Sequence, residues 1–338
     1  MSRRTGLLRP AWRLLLSTDN GERDITSDIS GRLNRLSIRD ARGIESDELQ
    51  LELDDADNQL DIPPPGARLS VAIGWHGQAL IGKGIYTVDE PEYSNPPRQL
   101  RVTARAADVS GPLGEKRDRS WHDVTLRSVA ASIAEQHGLT LRINTALADT
   151  KLAHIDQTTE SDIAFLSRVA ADYYDAICTV KSGHLLLTPA ATCEAVSGQA
   201  LTPFLLRESD CSNWRWSNPD RDRKTAVRAF WHDVDSGQRR SVQVGTLAGG
   251  RQILRTTYPS EEAARQAAQA ELRRLARGGE LQVDLPQGAP ELIPETPVTV
   301  SGFKPLIDDT AWVVKQVTHT ISGGGMTCSV EMEARDET

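Results

Sequence analysis

Between Ser120 and Pro189 the spacing of apolar residues switches from helical period to strand alternation twice over, and this constrains the middle of the chain more than any other feature. Thr125 stands where a helix cap belongs, and Leu126, Val129, Ala130, Ile133 and Ala134 recur on one helical face before Gly138 ends the run. Leu139, Leu141 and Ile143 alternate with polar residues, as a half-buried strand does. Thr159-Glu160-Ser161-Asp162 matches a capping box and opens a second helix, with Ile163, Leu166, Val169, Ala170 and Tyr173 on one side and an end near Asp175. Ala176, Cys178 and Val180 then alternate into a turn at Lys181-Ser182-Gly183-His184, and Leu185 to Leu187 return as the partner strand.

Both flanks read as strands. Before the centre, Leu14 and Leu16, Leu36 and Ile38, Leu49-Leu51-Leu53, Leu69-Val71-Ile73-Trp75, Ile85 to Val88, and Leu100-Val102-Ala104 each alternate. Asn20-Gly21 and His76-Gly77 are turn signals, and Pro63-Pro64-Pro65-Gly66 is a stiff loop that no sheet interior accommodates. Six or so short strands predict one closed or nearly closed antiparallel sheet, which leaves no exposed edges. The polar stretch Ser110 to Arg119 reads as a linker.

After Pro189, Trp214 and Trp216, Val227 to Trp231, Val242 to Val244, Leu281-Val283-Leu285, Val298-Val300, Trp312-Val314 and Met326-Cys328-Val330-Met332 resume the alternation. One helix interrupts them. Ser260 caps it, Glu261 and Glu262 suit its positive end, and Ala264, Ala268, Leu272 and Leu275 form a narrow stripe that allows close approach to a sheet. The class is α+β, mainly β: a first β domain over 1–110, a central α/β module with two helices over 111–190, and a second β domain with one helix over 191–338.

Chemistry is sparse in this sequence. The 39 Lys plus Arg against 47 Asp plus Glu give a formal net charge of -8, which argues against a dedicated nucleic-acid binder. Cys178, Cys193, Cys211 and Cys328 are irregularly spaced with no C-x-x-C, so neither a disulfide framework nor a zinc site is indicated. No apolar run approaches the roughly 20 residues of a membrane span, and Arg9, Pro10 and Arg13 interrupt what a secretion signal would need after Arg3-Arg4, so synthesis and assembly in the cytoplasm are expected. The signatures H-E-x-x-H, G-x-S-x-G and G-x-x-x-x-G-K-[ST] are missing.

His122-Asp123, His154-Ile155-Asp156 and His232-Asp233-Val234-Asp235 place imidazole near carboxylate. Each reads better as polar decoration at a strand end or turn, hydrogen-bonded locally. Gly323-Gly324-Gly325 lies between strands and reads as a hairpin turn, and the clusters Arg221-Asp222-Arg223-Lys224 and Arg273-Arg274 read as solvated faces. Trp75, Trp121, Trp214, Trp216, Trp231 and Trp312 fall on strands, where a large ring fills a core or anchors an interface. No catalytic, cofactor-binding or metal residue is assigned, and no cofactor is expected.

The runs SWHDVTLRSVAASIAEQHGL, HIDQTTESDIAFLSRVAADYYDA and VKSGHLLLTP resemble the late control gene D proteins of contractile-tailed phages, whose fold is shared with the hub portion of type VI secretion VgrG proteins. The resemblance runs over nearly the whole chain. It implies two tube-like antiparallel β-barrel domains flanking the central module, and a homotrimeric baseplate hub that joins a sixfold tail tube to a threefold spike. Its implied partners are two further copies of itself, the central spike protein, the tail tube or tube-initiator protein, and the tape measure and other baseplate proteins. The implied location is the baseplate of a virion or tailocin particle, with the helices outside the ring or between chains. Two rivals remain in view: a hub-associated cell-wall hydrolase, for which the sequence after Glu331 leaves no room, and a late-gene transcription regulator, against which the acidic charge and lack of a helix-turn-helix weigh.

Overall fold

The computed structural model describes residues 8–18, 21–43, 47–106, 112–181, 183–195, 197–218, 224–233 and 236–335. Alternation along strand Glu48–Asp54 buries Leu49, Leu51 and Leu53 and leaves the polar residues between them outward, and the other strands of the first unit follow the same rule. In that unit the hydrogen-bonded order is Leu33–Ala41, Glu48–Asp54, Gln99–Ala106, Ile81–Ser94, Arg68–Trp75, Pro10–Thr18 and Gly21–Asp24. Their inward side chains, from Leu14 to Ala104, form one core that Ile321 and Met326 of two late strands complete. A second core, from Leu206 to Met332, lies under strands Asn213–Ser217, Glu280–Leu285, Gly325–Ala334, Trp312–Ser322 and Pro297–Ser301, with Phe204–Arg207 added in parallel to the last of these. Trp312 is fully buried there and donates its indole N–H to the Ile307 carbonyl at 3.0 Å. The fold is mainly β, in the α+β class, as the alternation predicts.

The two β units are not separate closed sheets. Strand Trp312–Ser322 pairs antiparallel with Leu33–Ala41, from Gln316 opposite Ala41 to Ser322 opposite Arg35, so that thirteen of the described strands share one sheet. Along the paired stretch Leu36, Ser37, Ile38, Asp40 and Ala41 are all buried, so this strand is covered on both faces, while Val317, His319 and Ile321 of its partner are buried in alternation.

The central module follows the expected caps with one shift. Thr125 and Ser128 form a reciprocal capping box on helix Leu126–Gln136, and Gly138 takes φ +64° just beyond its end. Helix Asp162–Tyr174 is capped by Ser161, whose hydroxyl accepts from the Ala164 N–H, two residues later than the Thr159 expected from the sequence. Thr159 instead sits at φ +53° beside a bulge in strand Lys151–Ser161. That strand pairs with Lys116–Thr125, so Lys116 to Arg119 are strand rather than linker. Ser110 and Gly111 lie outside the described residues, as do Asn20 and Ser182 of two predicted turns. Strands Ala176–Lys181 and His184–Pro189 form the predicted hairpin, and Thr140–Ile143 joins it in parallel.

Residues 224–276 correct the linear division of the chain. Helix Glu261–Ala276 packs on a three-stranded sheet of Gln238–Gly245, Lys224–Asp233 and Gly250–Tyr258, and on helix Asp162–Tyr174. Ala264, Ala267 and Ala268 are fully buried in the same core as Val129, Leu166, Val227 and Ala229, so this helix belongs to the central module and not to the second β unit. Small side chains permit the close approach, which is why the alanine stripe finds a sheet. The chain thus enters the second unit at 204–217, leaves it for the central module, and returns at 280–334.

Leu166 is fully enclosed by this central core. Leu166→Asp should cost several kcal/mol, since a carboxylate would be stranded among apolar groups. Far-UV circular dichroism of the variant should show loss of helix signal with the β signal retained. An unchanged spectrum and melting profile would mean the core is not continuous as described.

Candidate functional site: an ionic junction between the β units and the helical module

Where the two β units and the central module meet, the polar positions of several strands turn inward. Arg42 follows strand Leu33–Ala41, and its N–H continues the seam by donating to the Lys315 carbonyl at 3.1 Å. Its guanidinium lies 2.5 Å from Glu295 and also bonds Glu333 of the last strand. Glu333 takes a second cation, Arg277 Nε at 3.3 Å. Arg277 in turn grips Asp175 through both terminal nitrogens, at 2.5 and 2.7 Å. Asp175 is the left-handed C-cap of helix Asp162–Tyr174, so five charged side chains link all three parts of the fold. Burial raises Glu295 above the ordinary carboxylate range, against the pull of Arg42.

A second cluster sits alongside, around a cavity of about 390 Å³ lined by Asp40, Asp47, Lys83, Lys181 and Glu295 among others. Lys181, at the end of strand Ala176–Lys181, reaches Asp40 at 2.5 Å and Asp47 at 3.1 Å across the boundary with the first unit. Burial, and then repulsion from Asp40, pushes Asp47 up to about 6. Burial by itself would lower Lys181, but the two carboxylates outweigh it and hold the ammonium above its ordinary value. Lys83 donates to the Leu292 carbonyl at 3.0 Å, and His319 Nε2 meets the same oxygen at 3.2 Å, which ties the first unit to a loop of the second. His319 Nδ1 is buried without a hydrogen-bond partner.

These groups hold one another, and burial lowers the Lys83 ammonium below its ordinary value. Cys178 and Cys328 are free, buried thiols that burial pushes up to about 12, and Cys211 rises to about 11. Cys193 is also free and buried. Among the described residues no group of three or more His, Cys, Asp or Glu side chains converges as a metal-binding cluster, and no helix is long and apolar enough to cross a membrane.

The sequence-highlighted residues fall elsewhere. His122 and His154 face each other across the ribbon Lys116–Thr125/Lys151–Ser161, and His154 also meets Asp156. They bond side chain to side chain instead of to backbone. Asp233 receives the Ser236 hydroxyl at 2.7 Å and Arg240 at 2.9 Å, while Val234, Asp235 and Arg221 to Arg223 lie outside the described residues. Arg273 and Arg274 are held by Asp175 and Glu271, and Ser322 pairs with Gly325 around the glycine turn. Sequence reasoning missed Arg42, Asp175, Arg277, Glu295, Glu333 and His319. The available signal was a charge or imidazole at an inward position of an alternating strand, as with Asp40 after Leu36 and Ile38 and with His319 between Val317 and Ile321.

Two outcomes follow from the junction. Arg277→Met removes the buried cation of Asp175 and leaves Glu333 with Arg42 alone, and should lower stability by about 3–5 kcal/mol in urea unfolding, with little dependence on salt. A loss under about 1 kcal/mol would place the pair in the class of exposed, screened bridges. His319, pushed down to about 3 by burial and then by Lys83, is neutral when folded but protonates when unfolded below its ordinary value of 6.5. Its stabilising contribution is present above that value and is lost as pH falls toward 3; near pH 4.5 the loss is on the order of 2–3 kcal/mol. Asp47, raised by the fold, works in the opposite sense between about 6 and its unfolded 3.8, gaining stability on acidification. His319→Gln keeps a donor for Leu292 and should therefore lose less stability than the parent between pH 7 and pH 4.5; an equal loss would contradict the assignment.

With the fold in view, relatives can be placed. The family model described as phage tail baseplate hub (GPD) matches residues 43–325. The probable baseplate hub protein of Escherichia phage 186 is 36% identical over 369 aligned positions, covering 97% of this chain and 94% of that protein. A 43 kDa tail protein of prophage MuSo2 from Shewanella oneidensis has the same fold, with a TM-score of 0.68 at 15% identity over 95% of this chain and 98% of that one. A chain of the Francisella PdpA-VgrG complex shares the fold at a TM-score of 0.56 and 7% identity, over 99% of this chain and 60% of its own length. The continuous match in sequence, supported by the shared fold, shows that this chain belongs to the phage tail baseplate hub family.

Proposed function

We propose that the chain works as a homotrimeric hub that joins a sixfold tail tube to a threefold central spike in a contractile tail, and that it carries no catalytic chemistry. The observation that supports this reading best is the pair of β units on one continuous sheet, each with its own core. Three chains around an axis would present six such units to a tube and three to a spike, and closed symmetry leaves no unmatched patch from which fibres grow. On this reading residues 8–106 form one tube-like domain, and residues 204–217 with 280–334 form the other. The discontinuous central module stands outside the ring or between chains. Assembly takes place in the bacterial host cytoplasm, before the hub enters the baseplate of a phage or tailocin particle. Beyond its own copies, the partners are the spike, the tube or its initiator, the tape measure and neighbouring baseplate proteins.

Light scattering on the purified chain should give three times the monomer mass when it is alone, or, when it trimerises only on the particle's spike protein, a complex whose mass is that of the spike plus three hub chains. A monomer in both would count against the trimer. Incubation with purified cell-wall sacculi should release no soluble sugar or peptide; steady release that survives repurification would favour a hydrolase.

A further inference from the structure

One pair of side chains singled out in the sequence is not used by the hub reading. His122 and His154 are direct partners in the register of the two-stranded ribbon, and their Nδ1 atoms lie 3.0 Å apart with ring centroids 4.5 Å apart. The other nitrogen of His154, Nε2, lies 3.2 Å from Asp156 Oδ2, and Asp156 is fixed in turn by the Ser120 hydroxyl at 2.7 Å. This is the arrangement of an imidazole ligand with its carboxylate outer partner, in which the carboxylate selects the tautomer and turns the ring.

We propose that His122 and His154 form a solvent-accessible binding site for a divalent late transition metal ion of the Zn²⁺, Ni²⁺ and Cu²⁺ class, with Asp156 as the positioning residue. Two nitrogens each about 2.0–2.1 Å from one ion, at angles between square and tetrahedral, stand about 2.9–3.4 Å apart, and the observed spacing falls in that range. Without metal, the Nε2–H of His154 donates to Asp156, so its Nδ1 carries a lone pair that accepts from the Nδ1–H of His122. Metal entry moves that proton to the Nε2 of His122 through solvent, and both Nδ1 lone pairs then converge on the ion. His122 is exposed and His154 half-buried, so water fills the remaining coordination positions and the ion exchanges freely. Its structural effect is a cross-link at mid-strand in a ribbon that has only two strands and a bulge between Gln157 and Glu160.

The test uses the full chain without a histidine tag, titrated calorimetrically with ZnCl₂, NiCl₂ and CuCl₂ separately. One ion per chain is expected, with Cu²⁺ tightest, and the Cu²⁺ electron paramagnetic resonance spectrum should show coupling to two nitrogens. His122→Ala and His154→Ala should each weaken binding at least tenfold with unchanged circular dichroism. Asp156→Asn should weaken it about tenfold by loosening the His154 ring. No saturable site in the parent chain, or Cu²⁺ binding by either alanine variant equal to the parent's, would overturn the proposal. Neither result bears on the hub reading, which does not depend on metal.

Discussion

Strand Leu33–Ala41 hydrogen-bonds on one side to Glu48–Asp54, a neighbour in sequence, and on the other to Trp312–Ser322, which arrives only after the rest of the fold has been threaded. Arg39 meets Gln316 at 2.9 Å across a sequence separation of 277 residues. This seam fixes how the two β units lie relative to each other, because register cannot slip by one residue without turning Leu36 and Ile38 out of the first core. It also makes the topology dependent on distant contacts, which close late and slowly during folding.

The ionic junction completes what the seam begins. A sheet alone would let the central module swing, since its core is separate from the two β cores. Arg277 joins its Asp175 to Glu333, and Lys181 joins it to Asp40 and Asp47, so the module is held at two points by directional bonds. Buried ion pairs contribute little net stability against apolar replacements, because desolvation offsets their attraction. What they supply here is orientation. A junction that tolerates only one geometry keeps the two β units and the helical module in fixed relation.

Local signals were legible in the sequence and distant ones were not. Thr125, Ser260 and the helical stripes after them were readable because capping and amphipathicity involve residues within a few positions. Ser161 was misread by two residues because a bulge near Thr159 extends the strand into what looks like a cap. The seam was hidden because alternation in Leu36 and Ile38 is the same whether a strand ends a sheet or continues it. The discontinuous module was hidden for a similar reason: Val227 and Ala229 face the helices instead of the second β core, and strand periodicity does not say which core receives it. The junction residues read as ordinary polar positions in a loop, a turn and a strand until tertiary packing brought Arg42, Glu295 and Glu333 together.

In the trimeric hub proposed here, the chain contributes two β units to a closed ring between tube and spike. Cryo-electron microscopy of the baseplate from assembled particles, with this chain built into the density, tests it most directly. Three copies around the tail axis are expected, with six β units lining one continuous channel and the seam strand pair intact in each copy. A copy number other than three, or copies placed at the periphery away from the axis, would contradict it.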